Sequence, residues 1–231
     1  MTIARAAKAP RYQPTGGSTR FVVWLLVATM LVRLLGILAN AHMYLVLAKI
    51  RREQQWDFAQ LELTDAISRV VAFLSIGFVV TTAIAFLIWQ FKSVRNLPAL
   101  GISDGKFSPE WSVGAWFIPL LNLVHGYLIM AKLWRTSSIG PDRAWKSAPV
   151  SRLIPIWWLT CLASGLFAFL SPYPSQGLLP GHRDYAYQMQ DTILLQTAAD
   201  VGLIAGAYLM LRLVREIERR QRALHRTHIF D

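Results

Sequence analysis

Four long apolar runs, separated by short segments that hold nearly all of the charge, organise this chain. Phe21 to Lys49 is apolar apart from Arg33, Asn40 and His42. The second run goes from Ala66 to Phe91, the third from Leu153 to Leu170, and the fourth from Thr192 to Val214. A helix needs about 20 predominantly apolar residues to cross a hydrocarbon layer. The pattern therefore predicts an all-α integral membrane protein with transmembrane helices over 21–49, 66–91, 153–170 and 192–214. Thr64 and Asp65 are N-cap candidates for the second helix, and Trp89 with Lys92 closes it. Arg152 and the Trp157-Trp158 pair open the third, and Ser171-Pro172 end it.

The flanks differ in composition. Residues 1–20 place Arg5, Lys8, Arg11 and Arg20 among Pro, Gly, Ser and Ala, which cannot build a core and predict a disordered basic tail. Residues 215–231 carry Glu216–Arg220 and Glu218–Arg222 at i, i+4, a pattern that supports a basic helical tail. Its readings are a topology anchor near anionic lipid and a docking helix for a cytoplasmic partner. Ala39-Asn40-Ala41 resembles a signal-peptide cleavage site. However, the apolar stretch before it exceeds the usual h-region of about 7–15 residues and contains Arg33, so the first run is read as a retained span.

Trp111 to Trp134 is long enough to span, but Pro119 interrupts it, and Asn122, His125, Lys132 and Thr136 recur at helical steps on one face. Charge decides its topology. If the segment returns to its starting side, 18 Lys and Arg lie on the inner side and five on the outer, with Arg33 inside the membrane. If it crosses, the counts become 8 and 15, which reverses the positive-inside rule. The expected architecture is four spans plus a Pro-broken re-entrant or interfacial segment over 111–136, with both termini on the cytoplasmic side of a bacterial inner membrane.

Composition supports this reading. Charged residues make up 16% of the chain, against about a quarter in soluble domains. The net charge of +11 resides in the inter-run segments, which makes it a topology signal and argues against a nucleic-acid partner. Cys161, the one cysteine, lies within an apolar run and has no partner for a disulfide, a CxxC pair or a zinc site.

The block from Trp89 to Ser137 reads WQFKSVRNLPALG, a short polar loop, then FSPEWSVGAWFIPLLNLVHGYLIMAKLWRTS. Its Trp89, Asn96, Gly101, Pro109, Trp111, Gly114, Trp116, Pro119, Asn122, Tyr127 and Trp134 resemble the bacterial membrane-protein family catalogued as domain of unknown function 4328. Glu110, Ala115 and Gly126 depart from that pattern. The resemblance extends more loosely over about two-thirds of the chain. It implies a multispanning membrane protein and brings no activity, cofactor or catalytic residue.

Polar groups at membrane depth must find partners. Arg33 lies roughly 20 Å along the first helix from Arg20, and Asp200 roughly 18 Å along the fourth from Arg212, at 1.5 Å per residue. Matching depth and opposite charge make an Arg33–Asp200 ion pair the candidate, with Thr81, Thr82 and Ser164 near the same level. Thr29, Arg33, Gly36 and Asn40 fall on one face of the first helix. Asn122 and His125 read in two ways: as groups that satisfy a broken helix or, with Lys132 and Arg135, as a pocket for a lipid headgroup or small anion. Ala198, Gly202 and Gly206 form a small-residue association face, directed at another subunit or at the Gly77, Thr81, Ala85 stripe.

Catalytic, cofactor and metal sites are not expected, since HExxH, phosphate-loop and GxSxG motifs are missing and the histidines lie at incompatible depths for haem. His182, Arg183 and Asp184, in a loop that reads as an ordered cap, look solvated. The functional expectation is a non-enzymatic accessory, scaffold or sensor subunit that associates with anionic lipid, a second copy or another membrane protein. The alternative is a small-molecule or lipid transporter, or a membrane enzyme, with a cytoplasm-facing pocket.

Overall fold

Apolar side chains dictate the helices, and polar residues mark where they start and stop. The computed structural model describes residues 11–102, 108–138, 143–171 and 184–230, and these contain no strand. In chain order come α1 (Gly16–Glu53), α2 (Phe58–Arg95), α3 (Pro109–Gly114), α4 (Pro119–Thr136), α5 (Leu153–Leu170) and α6 (Tyr185–Phe230). Short 3-10 turns occupy Pro98–Leu100, Ala115–Phe117 and Arg143–Ser147. Four helices, α1, α2, α5 and α6, are long and apolar enough to cross a membrane, and α4 is not among them. Large side chains such as Leu38, Phe73, Phe169 and Val201 point outward from those four helices. That makes sense only where the surroundings are apolar. The chain is an all-α membrane protein.

The helix ends depart from the apolar limits. α2 begins at Phe58, where Asp57 Oδ1 accepts the Gln60 N–H at 3.0 Å, whereas Thr64 Oγ1 donates back to Gln60 O. Thr64 and Asp65 are therefore interior to the helix and not its caps. Hydropathy marks where a helix leaves hydrocarbon, and its hydrogen bonding continues into the polar first turns. α1 likewise starts at Gly16, five residues before the apolar run. At its other end Gln54 adopts φ 54°, and its Nε2–H donates to Arg51 O at 2.6 Å. α6 runs unbroken from Tyr185 through the charged tail. Residues 1–10 of the expected disordered tail, and most of the expected outer cap with His182 and Arg183, lie outside the described residues.

The chain divides into two compact units. The first comprises residues 1–23, 84–155 and 212–231 and carries 18 of the 24 Lys and Arg against six of the 13 acids. In it, the Asn96 side chain clamps the backbone of Gln13, accepting its N–H at 2.9 Å and donating to its carbonyl at 2.7 Å. Trp89 Nε1–H donates to Thr19 at 3.0 Å, Gln221 donates to Ser93 O at 3.2 Å, and Tyr12 stacks on His225. These contacts order residues whose composition predicts disorder. The second unit comprises residues 24–83 and 156–211, with Met43, Leu47, Ile50, Leu61, Ala186 and Ile193 forming one apolar cluster.

Candidate functional site

Two buried polar assemblies hold the candidate residues, one in each unit. In the second unit the inward face of α1 meets α2 and α6 through a series of paired groups. Arg33 Nη1 donates to Asp200 Oδ1 at 2.7 Å, and the two side chains are 14% and 5% exposed. Gln196 is a second hydrogen-bond partner of Asp200. Thr29 and Thr82 share a hydrogen bond at 2.9 Å, and Asn40 donates to Thr197 at 3.4 Å. Gly36 belongs to the same face, because a Cβ there would sit 3.6 Å from Asp200 Oδ2.

Thr81 and Ser164 do not complete the pair. Each donates to a carbonyl of its own helix, Gly77 and Thr160, and Thr82 is engaged by Thr29. The small-residue face of α6 also has another partner than expected. A Cβ on Gly202 would run into Ser164 Oγ, and one on Gly206 would lie 3.2 Å from Cys161 Sγ. α5 therefore packs on the Gly202 and Gly206 positions, so the readings that directed this face to α2 or to another subunit are corrected for them. A stripe of small residues permits close approach without specifying which helix approaches.

The first unit contains the broken helix. Ser108 caps α3 by accepting the Trp111 N–H at 3.1 Å, and Pro109 occupies the first turn, where its missing donor costs nothing. Six residues later the winding tightens to 3-10. Ile118 is extended, with φ −98° and ψ 109°, and Pro119 starts α4. His125 of α4 reaches back across the break to the Ser112 carbonyl of α3, so α3, the tight turn and α4 form a bent, hairpin-like segment. Beside this change of winding the Ser112 carbonyl accepts from two side chains. Gln90 Nε2–H donates at 2.6 Å and His125 Nε2 at 2.8 Å, which places the His125 proton on Nε2 because a carbonyl only accepts. Trp116 covers the site. Its Nε1–H donates to Gln90 Oε1 at 3.1 Å, and its ring meets Phe86 and His125 edge-on.

His125 thus performs the helix-satisfying role and is 3% exposed. The other three residues of the expected pocket meet different surroundings. Asn122 Oδ1 is buried without a partner among the described residues, Lys132 lies 6.0 Å from the Trp145 ring, and Arg135 Nε–H donates to Ala148 O at 3.1 Å. Gln90 is the residue that sequence reasoning misses. It sits between Trp89 and Phe91 at the close of an apolar run and reads there as an end-of-span polar residue.

The α6 tail joins this unit through Arg220, whose guanidinium lies 3.9 Å from the Trp134 ring centre and also reaches Ser138 and Glu216. Hydrogen bonds from Arg219, with Arg220 adding, hold the Glu216 carboxyl below its ordinary value against the opposing effect of burial. Burial, and then the Glu218 carboxylate, raise the Tyr12 phenol.

A family profile described as "Domain of unknown function (DUF4328)" matches residues 52–219, and the chain belongs to that family. No curated protein and no solved structure matches.

Proposed function

We propose that this member of the DUF4328 family is a non-enzymatic inner-membrane protein, an accessory, scaffold or sensor subunit that acts by associating with protein or lipid. Its basic first unit would face the cytoplasm with both termini. The carrying observation is the state of His125. A pocket or a transport route needs polar groups that can turn to a substrate, whereas His125 is buried under Trp116 and committed to the Ser112 carbonyl. The Arg33–Asp200 pair points the same way, since each charge is met by the other inside the chain. Intramembrane charges otherwise mark ion or proton routes. The partition of Lys and Arg between the two units supports the orientation.

The alternative, a transporter or membrane enzyme with a cytoplasm-facing pocket, draws on Asn122, whose Oδ1 is buried without a partner among the described residues. Purification of the full chain in mild detergent, followed by reconstitution, separates the two. Association predicts a stoichiometric protein partner, a homo-oligomer or retained lipid, and no solute flux or turnover. Flux or turnover that Asp200→Asn or Asn122→Ala abolishes in folded protein would overturn the association reading.

A further inference from the structure

α4 has two faces of different chemistry. His125, Ile129, Leu133 and Thr136 share its buried side. At 100° per residue Leu120, Val124 and Leu128 form a row on the other side, 81%, 52% and 51% exposed. The exposed row ends at Leu128, because Ala131 on the next step is 6% exposed; seven residues beyond Leu128, close to the same angular position, stands Arg135, with Trp134 beside it. Arg135 is half-buried, and its hydrogen bond to Ala148 O anchors the guanidinium through one N–H while, among the described residues, neither terminal nitrogen is engaged.

The spacing matches one leaflet. From Leu120 to Arg135 the helix rises about 22 Å, and the distance from bilayer midplane to the outside of the headgroups is about 20–22 Å. The hairpin reaches a corresponding depth. Trp116 meets Phe86, which lies nine residues before the charged end of α2 at Arg95, or about 14 Å along the helix. Phe117, 73% exposed at the tip, is thus near mid-bilayer, and Trp134 sits where aromatic side chains favour the interface.

We propose that this face of α4 is a phospholipid site. An anionic phospholipid of the leaflet that the hairpin enters lays an acyl chain along Leu120, Val124 and Leu128 and sets its phosphate on Arg135. A planar guanidinium held by one bond matches two phosphate oxygens. The 18 Lys and Arg of this unit select a net negative headgroup over a zwitterionic one. The site deepens the association reading and rests on it, with lipid as the associated molecule.

The test uses the full-length chain in mild detergent, titrated with phosphatidylglycerol or phosphatidylcholine and read by native mass spectrometry. Wild type should retain phosphatidylglycerol in preference to phosphatidylcholine. Arg135→Gln should weaken that retention about fivefold, the worth of one basic residue against anionic lipid, while Arg226→Gln on the exposed tail leaves it unchanged. Equal retention of the two lipids, equal loss in both variants, or no loss in Arg135→Gln each overturns the proposal. So does a dimer whose cross-links cover Val124 and exclude lipid. If Arg135→Gln does not fold, Leu128→Gln decides, because it leaves Arg135 in place and unchanged retention there refutes the acyl contact. Failure of the lipid site would still leave a protein partner detectable by co-purification, so the two readings fail separately.

Discussion

Removing the Asp200 carboxylate while Arg33 stays leaves a guanidinium among apolar helices. The Arg33 side chain is 14% exposed, and its Nε has no partner among the described residues even with the pair intact. A lone Arg at the centre of a spanning helix costs about 2.5–3.5 kcal/mol on insertion scales, and breaking a buried pair by removing one partner costs about 3–5 kcal/mol. Asp200→Ala should therefore destabilise the folded chain by about 3 kcal/mol, more than a hundredfold in the unfolding equilibrium. Arg33→Ala should cost less, about 2 kcal/mol, because a stranded carboxylate can take up a proton and a guanidinium cannot lose one. The double Ala variant strands no charge and should lose clearly less than the two single losses together. Unfolding of purified protein in mixed micelles of increasing denaturing-detergent content, followed by tryptophan fluorescence, measures all four corners of the cycle. Additivity within about 0.5 kcal/mol, the behaviour of independent sites, would refute the claim that these charges stabilise each other.

Other contacts make their own predictions. Gly202→Ala forces a Cβ onto Ser164 Oγ and should cost about 1–3 kcal/mol as overpacking. In a Ser164→Ala background the added Cβ lies 3.4 Å from the Cβ at 164, so most of the loss should vanish in the same unfolding assay. Gln90 and His125 both donate to the Ser112 carbonyl. His125→Phe should cost about 1 kcal/mol and Gln90→Leu about 2 kcal/mol, since the latter also removes the acceptor of the Trp116 N–H, while the double variant takes both side-chain donors from the Ser112 carbonyl and should exceed their sum by about 1–3 kcal/mol. Gln54→Gly relieves a left-handed backbone at the end of α1 and should raise the thermal midpoint in detergent, by a gain of about 1 kcal/mol.

The spans were legible because hydropathy over about 20 residues is a strong signal. Arg33 and Asp200 stood out as opposite charges at equal depth, and the structure holds them 2.7 Å apart. Pro119 marked the break between α3 and α4, since it cannot continue a helix. Information that depends on a partner was not legible. Ala198, Gly202 and Gly206 show that some helix can come close, and it takes the fold to show α5 at the two glycines. The Ser112 carbonyl takes its side-chain donors from α2 and α4, so nothing in the sequence names Gln90 as one of them. The ordering of Gln13 through Thr15 depends on Asn96, more than eighty positions away. His125 and Arg135 both lie on α4, but His125 turns to the Ser112 carbonyl and Arg135 to the Ala148 carbonyl, and neither partner is readable from spacing.

Four crossings plus one hairpin that enters and returns is the premise on which the orientation, the association reading and the lipid site rest. Single cysteines in a Cys161→Ala background test it most directly, labelled with a membrane-impermeant thiol reagent from each side of the membrane. Glu110→Cys in the first turn of the hairpin and Lys146→Cys after it should label from the same side, and Gln54→Cys in the α1–α2 turn from the opposite side. Labelling of Lys146→Cys from the side that labels Gln54→Cys would show that the hairpin crosses, and would contradict the account.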